Sequence, residues 1–556
     1  MKRLRFAPAA SLLFALSLGA CSDGPSGPGN GGGGGGGVNL QVGTLYLVQS
    51  VQNRDGTVPL VANRDAFIRV FAVADRANTA TPSVRVRVFH GQTLRETWDI
   101  PAPGSSVPTS VDQSSLTNSW NVLVPGALVQ PGMRVVAEVD PGNTVSEANE
   151  GDNQYTTSPQ QVDVAVVPPF KVRFVPIHQL ENGLTGRVNE ANKDAFLVLT
   201  QKIHPVAAVD SDLRAPYTVR GLGFDPQGNT WIATVSELDA VRVAEGSDRY
   251  YYGVVQAPYA GGGVVGIAAG IPSRTSLGWD RAGDASETMA HELGHNWGRF
   301  HAPCGGAAGS DPTYPYSLGL IGVFGMDVAA RDLKTPSAYT DIMGYCDQQF
   351  WISDYTFRAI YAYRMANDAA ASRAPQPSLL VWGRILDGEL VLEPAFQVTT
   401  RPSLPRSGGR YTVEGLDASG GVLFSVSFDG ERIPDLPGDK RHFAFAVPLG
   451  PDAASRLATL RLAGNGEATE RRATAATAPQ HGAVQPFERV AATRSGSGEA
   501  SLRWDPARYP MVMVRNARTG EILSLARDGS ARVAGAAGEL ELVLSDGVRS
   551  VVRRAP

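Results

Sequence analysis

The sequence predicts a multidomain chain in which a mixed α/β (α+β) segment is flanked by all-β sandwich domains of immunoglobulin-like size. Three observations predict it. The chain has 556 residues, far more than one ordinary domain. Its 62 glycines and 38 prolines accompany only 19% charged residues, a mix that suits short strands and turns better than long helices. Period-two alternation marks both flanks, whereas apolar residues at helical spacing are confined to the middle. Hydrophobic residues make up 43% of the chain, enough for real cores. The formal net charge is -4 and no basic stripe with interleaved aromatics occurs, so nucleic acid is not an expected partner.

Residues 1–21 stand apart from the fold. Lys2, Arg3 and Arg5 form a basic start, and the apolar run from Phe6 to Ala20 is short for a membrane span. The run ends in Leu18-Gly19-Ala20-Cys21, which resembles the bacterial lipobox. That resemblance implies export, acylation of Cys21 and a lipid anchor in a membrane. Ser22 favours the outer membrane or cell surface. The alternative is an ordinary signal peptide with an incidental cysteine and a secreted product. Residues 22–37, with seven consecutive glycines from Gly31 to Gly37, form a flexible leash.

Residues 38–165 read as a β-sandwich. Phe67 to Val73 and Val84 to Val88 contain strand-like alternation, with Pro and Gly between the runs. The stretch Val135 to Val139, then Asp140-Pro141-Gly142-Asn143 and the acidic, Asn-rich Glu147, Asn149, Glu150 and Asn153, resembles a bacterial cell-adhesion-related (CARDB-like) module. These carboxylates and amides can in principle hold Ca2+, but turn chemistry is the commoner use of such clusters.

Residues 166–375 change pattern. Lys171 to Val175, Thr218 to Phe224 and Tyr250 to Val255 read as strands, and Gly261 to Ala268 as a strand or a loop. Glu190 to Ile203 reads as a helix with Phe196, Leu199 and Ile203 on one face. A second helix runs from Asp354 to Asn367, capped by Ser353, with Phe357, Ile360, Tyr361 and Met365 facing a core. From residue 376 to 556 the chain is β again, one or two sandwiches. Ile385 to Val391 forms a hairpin about Asp387-Gly388, Met511 to Ala526 forms another, and Leu540, Leu542 and Leu544 share one strand face. A polar stretch near Gly464 to Gln480 is a candidate divider.

The chemistry is concentrated in His291-Glu292-Leu293-Gly294-His295-Asn296-Trp297-Gly298-Arg299-Phe300-His301. Asp284, with Glu287 three residues on, can cap a helix start. On that helix His291 and His295, four apart, share a face and can bind one cation. Gly298 permits a left-handed turn that ends the helix, so that the chain doubles back and His301 supplies a third nitrogen. Three imidazoles leave one coordination position open, the arrangement of a catalytic zinc site. Glu292 stands beside the metal, placed to take a proton from water activated by Zn2+. Trp297 and Phe300 need only pack the helix into the core.

This spacing resembles the metzincin zinc metalloproteases, His-Glu-x-x-His-x-x-Gly-x-x-His. The clan has a Met-containing turn beneath the metal, and Asp341-Ile342-Met343-Gly344-Tyr345-Cys346 matches it 42 residues after His301. The resemblance implies that Met343 floors the three histidines. It also implies that Tyr345 serves as a displaceable ligand or oxyanion donor, against the plainer reading of a packing tyrosine. His-Glu-Leu-Gly-His-Asn-x-Gly is nearer the reprolysin and gametolysin side, whereas Met-x-Tyr is nearer astacins and serralysins, so no subfamily follows. Cys304 and Cys346 follow His301 and Met343 by three residues each, and a disulfide between them would tie the metal loop to the Met-turn. Two free buried thiols are the alternative.

The function implied is an endopeptidase cutting extracellular or envelope proteins, glycoproteins among the conceivable substrates. Substrate is expected along an edge strand, Tyr250 to Val255 or Gly263 to Ala268, with Tyr314 and Tyr316 shaping a cleft wall. A surface adhesion protein with a non-catalytic zinc site is the competing reading.

Overall fold

The computed structural model describes residues 37–554 apart from 222, 261, 347–348, 370–372, 406–407, 475–490, 495–498 and 535–538. The lipobox Cys21 and the leash up to residue 36 lie outside the described residues.

The chain is mostly β. Its first body is a sandwich. One antiparallel sheet joins Leu40–Val48, Ala66–Ala74 and Trp120–Val124. The other joins Thr93–Ile100, Val84–His90, Met133–Val139 and Gln154–Gln161. Val84, Val86 and Val88 alternate inward as expected. Ala66–Ala74 is instead buried on both faces, because Phe67 and Phe71 pack with Tyr46 and Val48 against Met326 of the next body. Arg69 is therefore buried in mid-strand, donating to the Tyr46 hydroxyl, Ser119 Oγ and two backbone carbonyls.

In the second body, Val209–Leu213, Phe170–Gln179, Tyr250–Val255 and Thr275–Trp279 run parallel, and Gly266–Ala268 closes one edge antiparallel. Helices α1 (Lys193–Ile203), α2 (Asn229–Ala244), α3 (Ala285–Asn296) and α4 (Asp354–Asn367) surround this sheet. Phe170, Val172, Phe174 and Tyr252 face α1, α3 and α4, whereas Val175, Ile177, Tyr251 and Leu277 face α2. The two-residue period of each strand thus feeds two cores. Ser353 caps α4, accepting from the Thr356 N–H at 3.1 Å.

Several expectations are corrected. Helix α1 starts at Lys193, after a turn in which Asn189 and Asn192 side chains bind backbone N–H groups. Leu199 is only half-buried. Met365 is exposed on α4, one step beyond the buried Arg364 that spans Pro168, Pro205 and Asp368. Among the described residues, the strand expected over Thr218 to Phe224 is Tyr217–Val219, and the run from 261 to 268 holds one strand, Gly266–Ala268. Tyr250–Val255 is interior to the sheet, which leaves Gly266–Ala268 as the edge.

Beyond α4 two further β bodies follow. The first pairs Gln376–Leu386 with Lys440–Pro448, packed on a sheet of Val422–Phe428, Tyr411–Asp417, Leu457–Gly464 and Glu467–Arg472. Its first hairpin turns at Asp387 and Gly388, both with positive φ, the geometry that Asp-Gly favours. The second is built on Met511–Asn516, Ile522–Arg527 and Leu540–Ser545, with Leu540, Leu542 and Leu544 buried. These bodies are not loosely tethered to the second. Leu380, Trp382, Phe396, Met511 and Met513 join α2 in one continuous apolar core.

Candidate metal centre

Helix α3 carries the first two histidines. Asp284 stands at its N-cap but its side chain makes no cap bond, lying instead 3.3 Å from Arg281. At the other end the helix closes as expected. The Gly298 N–H donates to the His295 carbonyl and the Arg299 N–H to the Gly294 carbonyl, both at 2.9 Å, with Gly298 at φ +85°. That reversal brings His301 back beside the helix. Trp297 is buried against Phe170, but Phe300 is exposed, since the reversed chain turns it outward.

The three rings converge. His295 Nε2 lies 3.1 Å from both His291 Nε2 and His301 Nε2. Each ring is oriented through its other nitrogen. His291 Nδ1 meets the Ile342 carbonyl at 2.8 Å, His295 Nδ1 the Arg299 carbonyl at 2.7 Å, and His301 Nδ1 the Ala308 carbonyl at 2.6 Å. A carbonyl only accepts, so each Nδ1 must donate and each neutral ring turns an Nε2 lone pair inward.

A fourth donor was not foreseen. Asp435, from the first C-terminal body, places Oδ1 2.9 Å from His301 Nε2, 3.5 Å from His295 Nε2 and 3.6 Å from His291 Nε2. The Tyr345 hydroxyl donates to the same oxygen. Burial opposes its charge, yet the three imidazoles hold the Asp435 carboxyl well below the usual range. Burial pushes His295 down to about 4, so it is neutral at pH 7. His301, despite burial, is held above its usual value by Asp435, and a second proton there can satisfy that one contact. Two neutral rings that each donate from Nδ1 meet at the His291–His295 contact as lone pair against lone pair. A cation resolves it, and nitrogens bound to tetrahedral zinc at ~2.0–2.1 Å would stand roughly 3.3 Å apart. The residues present therefore fit a metal ion, and the four side chains form a group that can hold one.

Glu292 is buried beside them, with Oε2 lacking any hydrogen-bond partner. Burial, then the Asp435 charge, push its carboxyl well up. A Cβ on Gly266 would stand 2.4 Å from Glu292 Oε1, so the edge strand has a glycine where the carboxylate comes against it.

Below the rings, Met343 is buried against Gly294 of α3. Its turn is held by Asp341, another residue the sequence did not single out. The buried Asp341 carboxylate accepts from the Met343 N–H at 2.9 Å, the Ser353 N–H at 3.0 Å and Ser353 Oγ at 2.5 Å. Cys304 and Cys346 form a disulfide, with the Ala302 N–H on the Met343 carbonyl and the Tyr345 N–H on the Cys304 carbonyl alongside. Tyr314 and Tyr316 donate to the Leu320 carbonyl and to Asp354, bracing the loop. In the first sandwich, Asp140 is used by its own turn, accepting from Thr144 and Val145, as turn chemistry predicts.

No family model and no curated protein matches the chain. Among solved structures it is similar to the CARDB domain of a Pyrococcus furiosus protein in complex with di-metal ions, at 22% identity over 23% of this chain and 96% of that one, TM-score 0.16. It is also similar to a chaperone–substrate complex (14% identity, 45% of this chain and 39% of that one, TM-score 0.21). E. coli alpha-2-macroglobulin in its native conformation is a third neighbour (10%, 93% and 26%, TM-score 0.13). Superpositions at these scores assign neither fold nor activity, and the architecture above rests on the chain's own strands, cores and side chains.

Proposed function

We propose that the chain is a zinc-dependent endopeptidase of metzincin type, with 166–375 as its α/β catalytic region and extracellular or envelope proteins as substrates. The observation that carries this reading is the inward convergence of the His291, His295 and His301 Nε2 atoms, each ring fixed by a carbonyl at Nδ1. Zinc bound there would polarise a scissile carbonyl and make water acidic enough to attack near neutral pH. The protein's own groups do the rest. Glu292, forced up in pKa and with one oxygen uncommitted, takes a proton from water and returns it to the leaving amine. Gly266–Ala268, an edge strand beside Glu292, offers backbone groups to an extended peptide. Tyr345 stands at the rim, its hydroxyl within the same cluster. The lipobox-like Leu18 to Cys21 supports placement on the outer face of a bacterial envelope.

One observation favours a second reading, a surface protein with a structural metal site: Asp435 completes a set of four ligands, and closed four-ligand sites are characteristically structural. Peptide-library cleavage by the zinc-loaded full chain separates the two. Cleavage should vanish with chelator and with Glu292→Gln; cleavage unchanged in Glu292→Gln rules out the enzyme reading.

A further inference from the structure

Asp435 reaches the metal centre from outside the body that builds it. It lies in the connection between Glu431–Arg432 and Lys440–Pro448, two paired strands of the first C-terminal body. The strand Glu431–Arg432 that leads into this connection touches two segments around the site. Glu431 packs against Gly270, just past the edge strand, and the Arg432 guanidinium lies beside Gly309 in the loop after His301. Leu436, next to Asp435, is buried in the core shared with α2 and Val264. The segment therefore crosses the space above the three rings, where an extended peptide on Gly266–Ala268 would have to pass. Its hold is light. Among the described residues no backbone–backbone hydrogen bond joins 431–439 to the second body, and the Ile433 N–H is satisfied within its own hairpin by the Lys440 carbonyl.

We propose that Asp435 is a removable fourth ligand and that its hairpin is a built-in plug, keeping the metal closed until the segment around 433–439 swings or is cut away. This rests on the zinc peptidase reading and adds its regulation. The three histidines stay rigid because backbone carbonyls of α3's exit, the Met-turn and the metal loop orient them. Asp435 has no such support for its ligating oxygen beyond the Tyr345 hydroxyl and the rings. Displacing it frees one coordination vertex, the Tyr345 hydroxyl and the edge strand together.

The test uses the full chain loaded with cobalt(II) and acetohydroxamate as a probe of the open vertex, followed through the cobalt visible bands. Asp435 has φ +68°, so Asp435→Gly removes the ligand without straining the turn, and Asp435→Asn keeps the shape if the glycine variant does not fold. If the aspartate occupies the vertex nine-tenths of the time or more, hydroxamate should bind Asp435→Gly at least about tenfold more tightly than wild type, with one cobalt per chain in both. Equal affinity overturns the plug. Loss of cobalt from the variant overturns it too, since a ligand the site cannot spare is no removable cover. With zinc, Asp435→Gly should cleave peptides about tenfold faster than wild type, and the double variant with Glu292→Gln should not cleave. The hydroxamate difference without any cleavage would sink the peptidase reading and leave the plug standing. Glu292-dependent cleavage with equal hydroxamate affinities would do the reverse.

Discussion

Met343 holds its sulfur 2.2 Å from the point where a Cβ on Gly294 would stand. The residue between the two helical histidines is thus fixed by the floor beneath them, and Gly294→Ala must push the Met-turn or the helix away. Overpacking of this kind costs about 1–3 kcal/mol. Thermal melts should show that loss together with weaker zinc binding, and adding Met343→Ala should recover part of it. A Gly294→Ala protein with unaltered stability and zinc affinity would mean that the floor gives way freely.

Asp341 joins the Met-turn to the start of α4 by one carboxylate. Asp341→Asn replaces one acceptor oxygen with an NH2 that faces either the Met343 N–H or the Ser353 N–H, whichever way the amide turns. Buried bonds to a charged acceptor contribute about 1.5–3 kcal/mol each, so a loss of at least about 2 kcal/mol is expected in urea denaturation. Asp341→Ala should cost no less.

The Cys304–Cys346 bridge spans a sequence separation of 42. In the chain-entropy picture, closing such a loop contributes roughly 3–4 kcal/mol, and replacing both cysteines by alanine should remove about that much. Because the Tyr345 N–H bonds the Cys304 carbonyl, zinc affinity should fall as well. Equilibrium denaturation of the double variant, alongside wild type with and without reductant, measures both.

Acid should destabilise the fold through His204. This ring is fully buried edge-on to Trp297, with neither nitrogen bonded, and burial, reinforced by Arg364 and Arg64, pushes it down to about 3. Between about pH 6.5 and 3 the unfolded chain binds a proton there that the folded chain refuses, so stability is lost as pH falls through that window. The loss approaches the order of 4 kcal/mol by pH 3. His204→Leu should flatten this part of the stability–pH curve; an unchanged slope would show that the ring is protonated in the fold.

Much of the centre was legible because its parts are local. His291, His295, Gly298 and His301 sit within one helix and its exit, where spacing fixes geometry, and an even pair of cysteines in a chain read as exported suggested the Cys304–Cys346 bond. Asp435 was not legible. It lies 134 residues beyond His301, in Ile433-Pro434-Asp435-Leu436-Pro437-Gly438, a stretch that reads as an ordinary turn. Only the docking of one body on another brings it to the rings. Phe300 and Met365 failed for a related reason: periodicity says which side chains share a face but not whether anything covers that face.

Helix α2 has no wet side worth the name. Trp231, Ile232, Val235, Leu238, Ala240, Val241 and Val243 are all buried, and the cluster they join takes in the parallel sheet together with Leu380, Trp382, Phe396 and Ala446. Such a chain is poor material for genetic shuffling. A recombination that carried the histidines away without the rear strands would strand a greasy cylinder in water. The histidine-bearing front and the rear strands share one interior and are expected to fold as one unit.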